Sequence, residues 1–154
     1  MIRPIVPADT PALVALSGSS GLFKPDELDA VRGMLDEYHA TNAAGHRIFA
    51  YEDGGALVGV AYFAPKAFTD RVWELLMIAV DEPRHRQGVG SALLLAVEGA
   101  VRASGGRLLL IETSDKAGFE RTRLFYRKHG YAEVARIPDY FSDGDGKASF
   151  VKRI

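Results

Sequence analysis

The sequence has no cysteine, and that one absence removes disulfide bridges, a thiolate nucleophile and any cysteine-based metal site. An acyl group carried on sulfur would have to arrive on another molecule. No apolar run approaches the roughly 18 residues needed to span a bilayer, and the opening MIRPIVPADT has no apolar core of signal-peptide length. A cytoplasmic location and no membrane partner are the resulting expectations. Charge of one sign is also lacking: 19 Lys and Arg stand against 20 Asp and Glu, a formal net charge of −1. A general nucleic-acid or membrane binder is therefore not indicated. Repeats and low-complexity tracts are missing as well. The four histidines, His39, His46, His85 and His129, do not form a metal-binding spacing, and no metal is expected; His85 and His129 read as solvated loop or helix-end residues.

What is present is enough for one packed core. At 154 residues, 47% hydrophobic and 25% charged, the chain reads as a single domain over residues 1–154. Its organising stretch is residues 73–95, WELLMIAVDEPRHRQGVGSALLL. An apolar strand over 72–80 runs into Asp81, Glu82 and Pro83, and proline has no N–H to give to a ladder. A basic, glycine-containing loop follows: Arg84, His85, Arg86, Gln87, Gly88, Val89, Gly90. From Ser91 the residues favour a helix, with Ala92, Leu93, Leu94, Leu95, Ala96, Val97 and Glu98 in succession.

A strand, a glycine loop and a helix in that order make an anion site. The first N–H groups of a helix lack acceptors and carry the positive end of its dipole. Gly88 and Gly90 let a phosphate approach the main chain, and Arg84 and Arg86 add charge at the rim. The dinucleotide fingerprint G-x-G-x-x-G fails at its third glycine, where Leu93 stands, and the nucleotide P-loop fails because Gly90 is followed by Ser91 without a lysine.

The rest of the chain reads in order. A strand over 1–6 ends at Pro7, and a helix begins at Asp9 or Thr10 with Pro11 in its first turn. A second helix from Pro25 carries Leu28, Val31, Met34, Leu35 and Tyr38 at helical spacing. Strands over 46–52 and 56–64 flank the hairpin signal Asp53-Gly54-Gly55. A strand over 107–114, a helix over 118–129 and strands over 131–137 and 147–153 complete the chain.

The loop from His85 to Gly90, set between such a strand and such a helix, resembles the pyrophosphate loop of the GNAT superfamily of acyl-coenzyme A dependent N-acetyltransferases. That pattern is Gln/Arg-x-x-Gly-x-Gly/Ala, and His85 stands where Gln or Arg is usual. The order of elements is also similar. The resemblance implies an α/β, single-domain GNAT fold, a mixed twisted central sheet of about seven strands with helices on both faces. It implies acetyl-CoA as co-substrate, an amine as acceptor, and direct attack without a covalent enzyme intermediate. By position, Arg86, Gln87, Gly88, Val89, Gly90 and Ser91 would hold the pyrophosphate. Met77, Ile78, Ala79 and Val80 would receive the pantetheine arm and the thioester carbonyl where the central strand bulges and splays from its neighbour.

Moving an acetyl group from a thioester to an amine needs a deprotonated amine, a stabilised oxyanion and a proton for the departing thiolate. For the last, Tyr126 lies in Leu124-Phe125-Tyr126-Arg127-Lys128-His129-Gly130-Tyr131, which resembles the family segment LYxxxGF. The alternative is a tyrosine that only packs. For the amine proton, Glu74 and Glu112 are acidic residues inside apolar strands; each could equally be a paired structural carboxylate. Glu74 ranks first because family members often carry the base on that strand. Strand alternation groups Glu74 with Leu76 and Ile78, and Glu112 with Leu108 and Leu110. Phe119 replaces an asparagine common in relatives. Tyr140 and Phe141, in a loop read over 138–146, are the candidate acceptor contacts. A small-molecule amine is the favoured acceptor. Alternatives are a peptide amine, in a protein N-terminal or lysine acetyltransferase, and a non-catalytic CoA-binding sensor; a homodimer is compatible with the resemblance.

Overall fold

The computed structural model describes residues 1–42 and 44–154. In chain order the elements are β1 (Ile2–Pro4), α1 (Thr10–Ser19), α2 (Leu28–Thr41), β2 (Arg47–Asp53), β3 (Ala56–Pro65), β4 (Val72–Val80), α3 (Val89–Ala103), β5 (Leu108–Ser114), α4 (Glu120–Lys128), β6 (Ala132–Ser142) and β7 (Asp145–Arg153). One seven-stranded sheet runs in the order β1-β2-β3-β4-β5-β7-β6. Every neighbouring pair is antiparallel except β4 and β5, which run parallel with α3 as their crossover. This is the mixed sheet the sequence led us to expect.

The helices divide between the two faces. On one, Leu93, Leu94, Val97 and Val101 of α3 and Tyr126 of α4 pack on Phe63, Trp73, Leu75, Leu109, Ile111 and Phe150. On the other, Leu13 and Leu16 of α1 and Val31 and Leu35 of α2 cover Ile48, Ala50, Val60 and Ala79. The β2–β3 hairpin turns through Gly54 and Gly55, both at positive φ (59° and 81°), as a two-residue turn of matching twist requires. Gly59 on β3 seats α3: a Cβ there would stand 2.8 Å from both Leu93 Cδ1 and Val89 Cγ1. The first turn of α3 can lie against the sheet only because that side chain is absent.

Two boundaries differ from the sequence expectation. Helix α3 begins at Val89, two residues before Ser91, because Gly88 takes φ 85° and turns the chain into the helix as its N-cap. Strand β6 continues through Pro138 to Ser142, and β7 starts at Asp145, so residues 138–146 are mostly strand and not a long loop. The hairpin closes at Ser142↔Asp145, with the ladder interrupted between Ile137 and Ser142 and Asp139 at φ 56°; an edge strand tolerates such a break and the proline within it. Inside β4 lies a bulge of the kind the resemblance implied, directly before Met77. Tyr62 pairs with Met77 and Phe63 with Leu75, which leaves Leu76 as an extra, bulged residue.

Candidate active site

The β4 bulge changes which side chains share a face. Trp73 and Leu75 point into the α3 core, and beyond Leu76 so do Ile78 and Val80, while Met77 and Ala79 point to the α1–α2 side. Glu74 therefore shares its face with Met77 and Ala79. The grouping of Glu74 with Leu76 and Ile78 read from unbroken alternation is corrected, because one inserted residue reverses the phase of everything after it.

Just past the bulge, β4 loses one neighbour. Val72 to Leu75 pair in parallel with Leu108 to Ile111, and no pair follows Leu75↔Ile111. Residues 76–80 stay on β3 alone, while Glu112, Thr113 and Ser114 stay on β7 alone. The two central strands part, each presenting a bare main-chain edge to the gap. Met77, Ile78, Ala79 and Val80 form one side of it.

The loop sits at the end of that gap. The N–H groups of Arg84 and His85 close back onto the carbonyls of Asp81 and Glu82, at 2.8 and 3.1 Å, and that of Ala92 onto Gly88 at 3.0 Å. Between them, the N–H groups of Arg86, Gln87, Gly88, Val89, Gly90 and Ser91 meet no acceptor among the described residues. Arg86 and Gly88 both take positive φ, 62° and 85°, which turns successive amides toward one side, as in an anion-binding nest. Among the described residues, and its chain neighbours apart, no atom lies within 4 Å of where a Gly88 Cβ would stand, and a Gly90 Cβ would be 3.7 Å from Phe125 Cζ and Val80 Cγ2. An open run of N–H donors at a helix N-terminus is what a diphosphate requires.

Side chains hold the loop in that shape. His85 Nε2 donates to the Val80 carbonyl at 2.7 Å, tying the loop to the end of β4, and Gln87 Nε2 donates to the Pro83 carbonyl at 3.0 Å. His85 is exposed in its loop, as expected, and is also a structural tie; the imidazole anchors where Gln or Arg is usual. His129 likewise bonds the Phe125 carbonyl through Nδ1, at 2.8 Å. Arg84 forms an ion pair with Asp53 at 2.8 Å, so its charge is shared with the β2–β3 hairpin. Arg86 has no carboxylate partner among the described residues.

Tyr126 is 4% exposed and sits between Tyr131 and Phe150, with ring centroids 6.0 and 5.9 Å away. Burial pushes its phenol well above the ordinary tyrosine range. Its hydroxyl makes no hydrogen bond among the described residues, yet the one fully enclosed polar side-chain atom without a partner there is His39 Nε2. The Tyr126 hydroxyl therefore touches open space. Tyr131 is 3% exposed and donates to Glu98 Oε1 at 2.9 Å.

Both candidate carboxylates lie on the α1–α2 face, each beside a lysine. Glu74, in the fully paired part of β4 and opposite Leu110, meets Lys66 Nζ at 3.1 Å. Glu112, one position past the last β4–β5 pair, meets Lys147 Nζ at 2.9 Å. That hydrogen bond raises the Lys147 pKa, and the ammonium lies 3.9 Å from the Tyr140 ring centroid. Tyr140 thus borders the Glu112 pair, while Phe141 is half exposed beside it, edge-on at 5.1 Å. The hairpin carrying both is fastened to the end of β5: Asp115 accepts from the Gly146 N–H at 2.9 Å, Ser114 Oγ bonds Asp145, and a Gly146 Cβ would collide with Asp115 Oδ2.

Lys147 and Arg123 were not singled out from the sequence. Arg123 is buried in α4 and donates to the Ser114 and Lys116 carbonyls, at 2.9 and 2.8 Å, closing the segment between β5 and α4. No local pattern marks either residue. A buried strand lysine diagonal to a strand glutamate can be found only once the β5–β7 register is known, in which Glu112 pairs with Ser149 and Lys147 with Ser114.

A sequence model of the GNAT acetyltransferase domain matches residues 44–133, a span that includes β4, the loop and Tyr126. The chain belongs to the GNAT acetyltransferase family. A GNAT-family acetyltransferase structure from Desulfovibrio desulfuricans is 29% identical, with TM-score 0.92, over 99% of this chain and 98% of that one. More distant structures share the fold: an aminoglycoside 6′-N-acetyltransferase complexed with coenzyme A (21% identity, TM-score 0.81, 99% and 96% coverage) and the ribosomal-protein-S18-alanine N-acetyltransferase of Escherichia coli (18%, 0.79, 100% and 93%). Among curated proteins none matches. Among the described residues no helix of this GNAT protein is long and apolar enough to cross a membrane, and no three His, Asp or Glu side chains form a metal-binding group.

Proposed function

We propose that this chain is an N-acetyltransferase that uses acetyl-CoA and a small-molecule amine. The observation that carries the reading is the continuity of the β4–β5 gap with the free N–H groups of residues 86–91. The co-substrate would supply an acetyl thioester. The N–H groups of residues 86–91 would bind its diphosphate, with Arg86 at the rim, and residues 77–80 would receive the pantetheine arm and donate to the thioester carbonyl oxygen from the bare edge of β4. The Tyr126 hydroxyl would give a hydrogen bond, then a proton, to the departing sulfur. For the amine proton the geometry favours Glu112 over Glu74, since Glu112 stands at the mouth of the gap and Glu74 lies below it in paired sheet. Tyr140 and Phe141 would border the acceptor.

An aminoglycoside 6′-N-acetyltransferase neighbour complexed with coenzyme A is consistent with this reading; the S18-alanine acetylating neighbour keeps a peptide amine as the second reading. Titration calorimetry with acetyl-CoA tests it. Micromolar binding by wild type, lost in a Gly88→Glu, Gly90→Glu double variant of unchanged circular dichroism, is expected. A folded wild type that binds no acetyl-CoA would overturn the proposal.

A further inference from the structure

On the α1–α2 face a cavity of about 270 Å³ opens between the last turns of α2, the entry to β2 and the C-terminal half of β3, lined by Met34, Glu37, Tyr38, Thr41, His46 and Tyr62 among others. Met34, Glu37, Tyr38 and Thr41 lie three and four residues apart and so share one side of α2, next to the Val31 and Leu35 stripe that faces the core. Tyr62 comes from β3, with its hydroxyl hydrogen-bonded to His46 Nδ1 and the two rings 5.4 Å apart. Of the described lining residues none is Lys or Arg, and one, Glu37, is a carboxylate. Burial, then the negative charge of Glu37, holds the Tyr62 phenol above its ordinary range. Aromatic faces, a thioether and one carboxylate without a basic partner suit a cation. The larger depression beside α1 differs in this respect, because Arg3 already occupies it, paired with Asp9 and Glu52 at 2.8 and 2.9 Å.

The cavity also stands in register with the reacting strand. Tyr62 is the cross-strand partner of Met77, on the same face of the sheet, so only one strand spacing of about 5 Å and a side chain's reach separate it from β4. We infer that this cavity is a subsite for a second ammonium group, so that the acceptor is a diamine or a similar amine with a second positive charge a short aliphatic chain away. The inference rests on the acetyltransferase reading above and names the acceptor class for it. Glu37 neutralises the second charge, and the rings of Tyr38 and Tyr62 replace part of its hydration.

The test compares cadaverine with n-pentylamine, which differ only in the terminal ammonium. With acetyl-CoA present, kcat/KM for cadaverine is expected to exceed that for pentylamine by roughly tenfold, and the ratio to fall toward one in Glu37→Gln, an exposed position where folding is not at stake. A ratio near one in wild type, or a ratio that Glu37→Gln leaves intact, would overturn the assignment. A calorimetric titration with cadaverine alone reads the subsite without turnover: binding weakened about tenfold in Glu37→Gln and in Tyr38→Leu supports it, and no binding to wild type overturns it. Failure of acetyl-CoA to bind would instead refute the acetyltransferase reading, and the cadaverine titration would still decide the cation site.

Discussion

Replacing Tyr126 with Phe separates chemistry from packing with little ambiguity. The ring contacts to Tyr131 and Phe150 are unchanged by the substitution, and the lost hydroxyl has no hydrogen-bond partner among the described residues. No native hydrogen bond is broken, so stability should stay within about 0.5 kcal/mol of wild type, a melting shift of no more than about 2 °C. If the hydroxyl protonates the departing thiolate, kcat should fall by about 10²-fold or more, equivalent to about 2.7 kcal/mol of transition-state stabilisation. The affinity for acetyl-CoA should not change. Thiol release read with a chromogenic disulfide is a clean assay here, because the protein has no cysteine of its own. The pH dependence adds a second readout. Burial raises the Tyr126 pKa, so the donor stays protonated through the ordinary tyrosine value of about 10, and wild-type kcat should not decline as pH approaches it. Turnover within about threefold of wild type would refute the acid role. A stability loss above about 1 kcal/mol would refute the claim that the hydroxyl is structurally idle.

Two further outcomes follow from the geometry. Glu112→Gln should lower kcat/KM by roughly 10²-fold, most strongly at low pH where the amine most needs help losing its proton, whereas Glu74→Gln should cost less than about fivefold; steady-state rates from pH 6 to 9 decide, and the reverse ranking would return the base to β4. Gly59→Ala should cost about 1–3 kcal/mol in urea unfolding, because its Cβ would meet Val89 and Leu93 at 2.8 Å, and should weaken acetyl-CoA binding if, as proposed, the N–H groups of the helix that Val89 opens form the anion site. Wild-type affinity in this variant would show that the first turn of α3 has not moved.

Much of the protein is written in local sequence. Pro83, the glycines at 88 and 90 and the run after Ser91 mark strand, loop and helix with signals that act over a few residues, and Gly54-Gly55 does the same for the hairpin. Tyr126 was legible because a short segment carries it. The tertiary structure decided the rest, although the family resemblance had already implied that the central strand bulges and splays near Met77 to Val80. Alternation assigned Glu74 to a face on the assumption of an unbroken strand, but whether a strand bulges depends on the register its partner imposes, and the Leu76 bulge turned the succeeding residues over. The point where β4 and β5 part, the pairing of Lys147 with Glu112, and the meeting of α2 with Tyr62 across the sheet are all contacts between residues far apart in the chain. No propensity encodes them, because each exists only once seven strands and four helices have been packed around two cores.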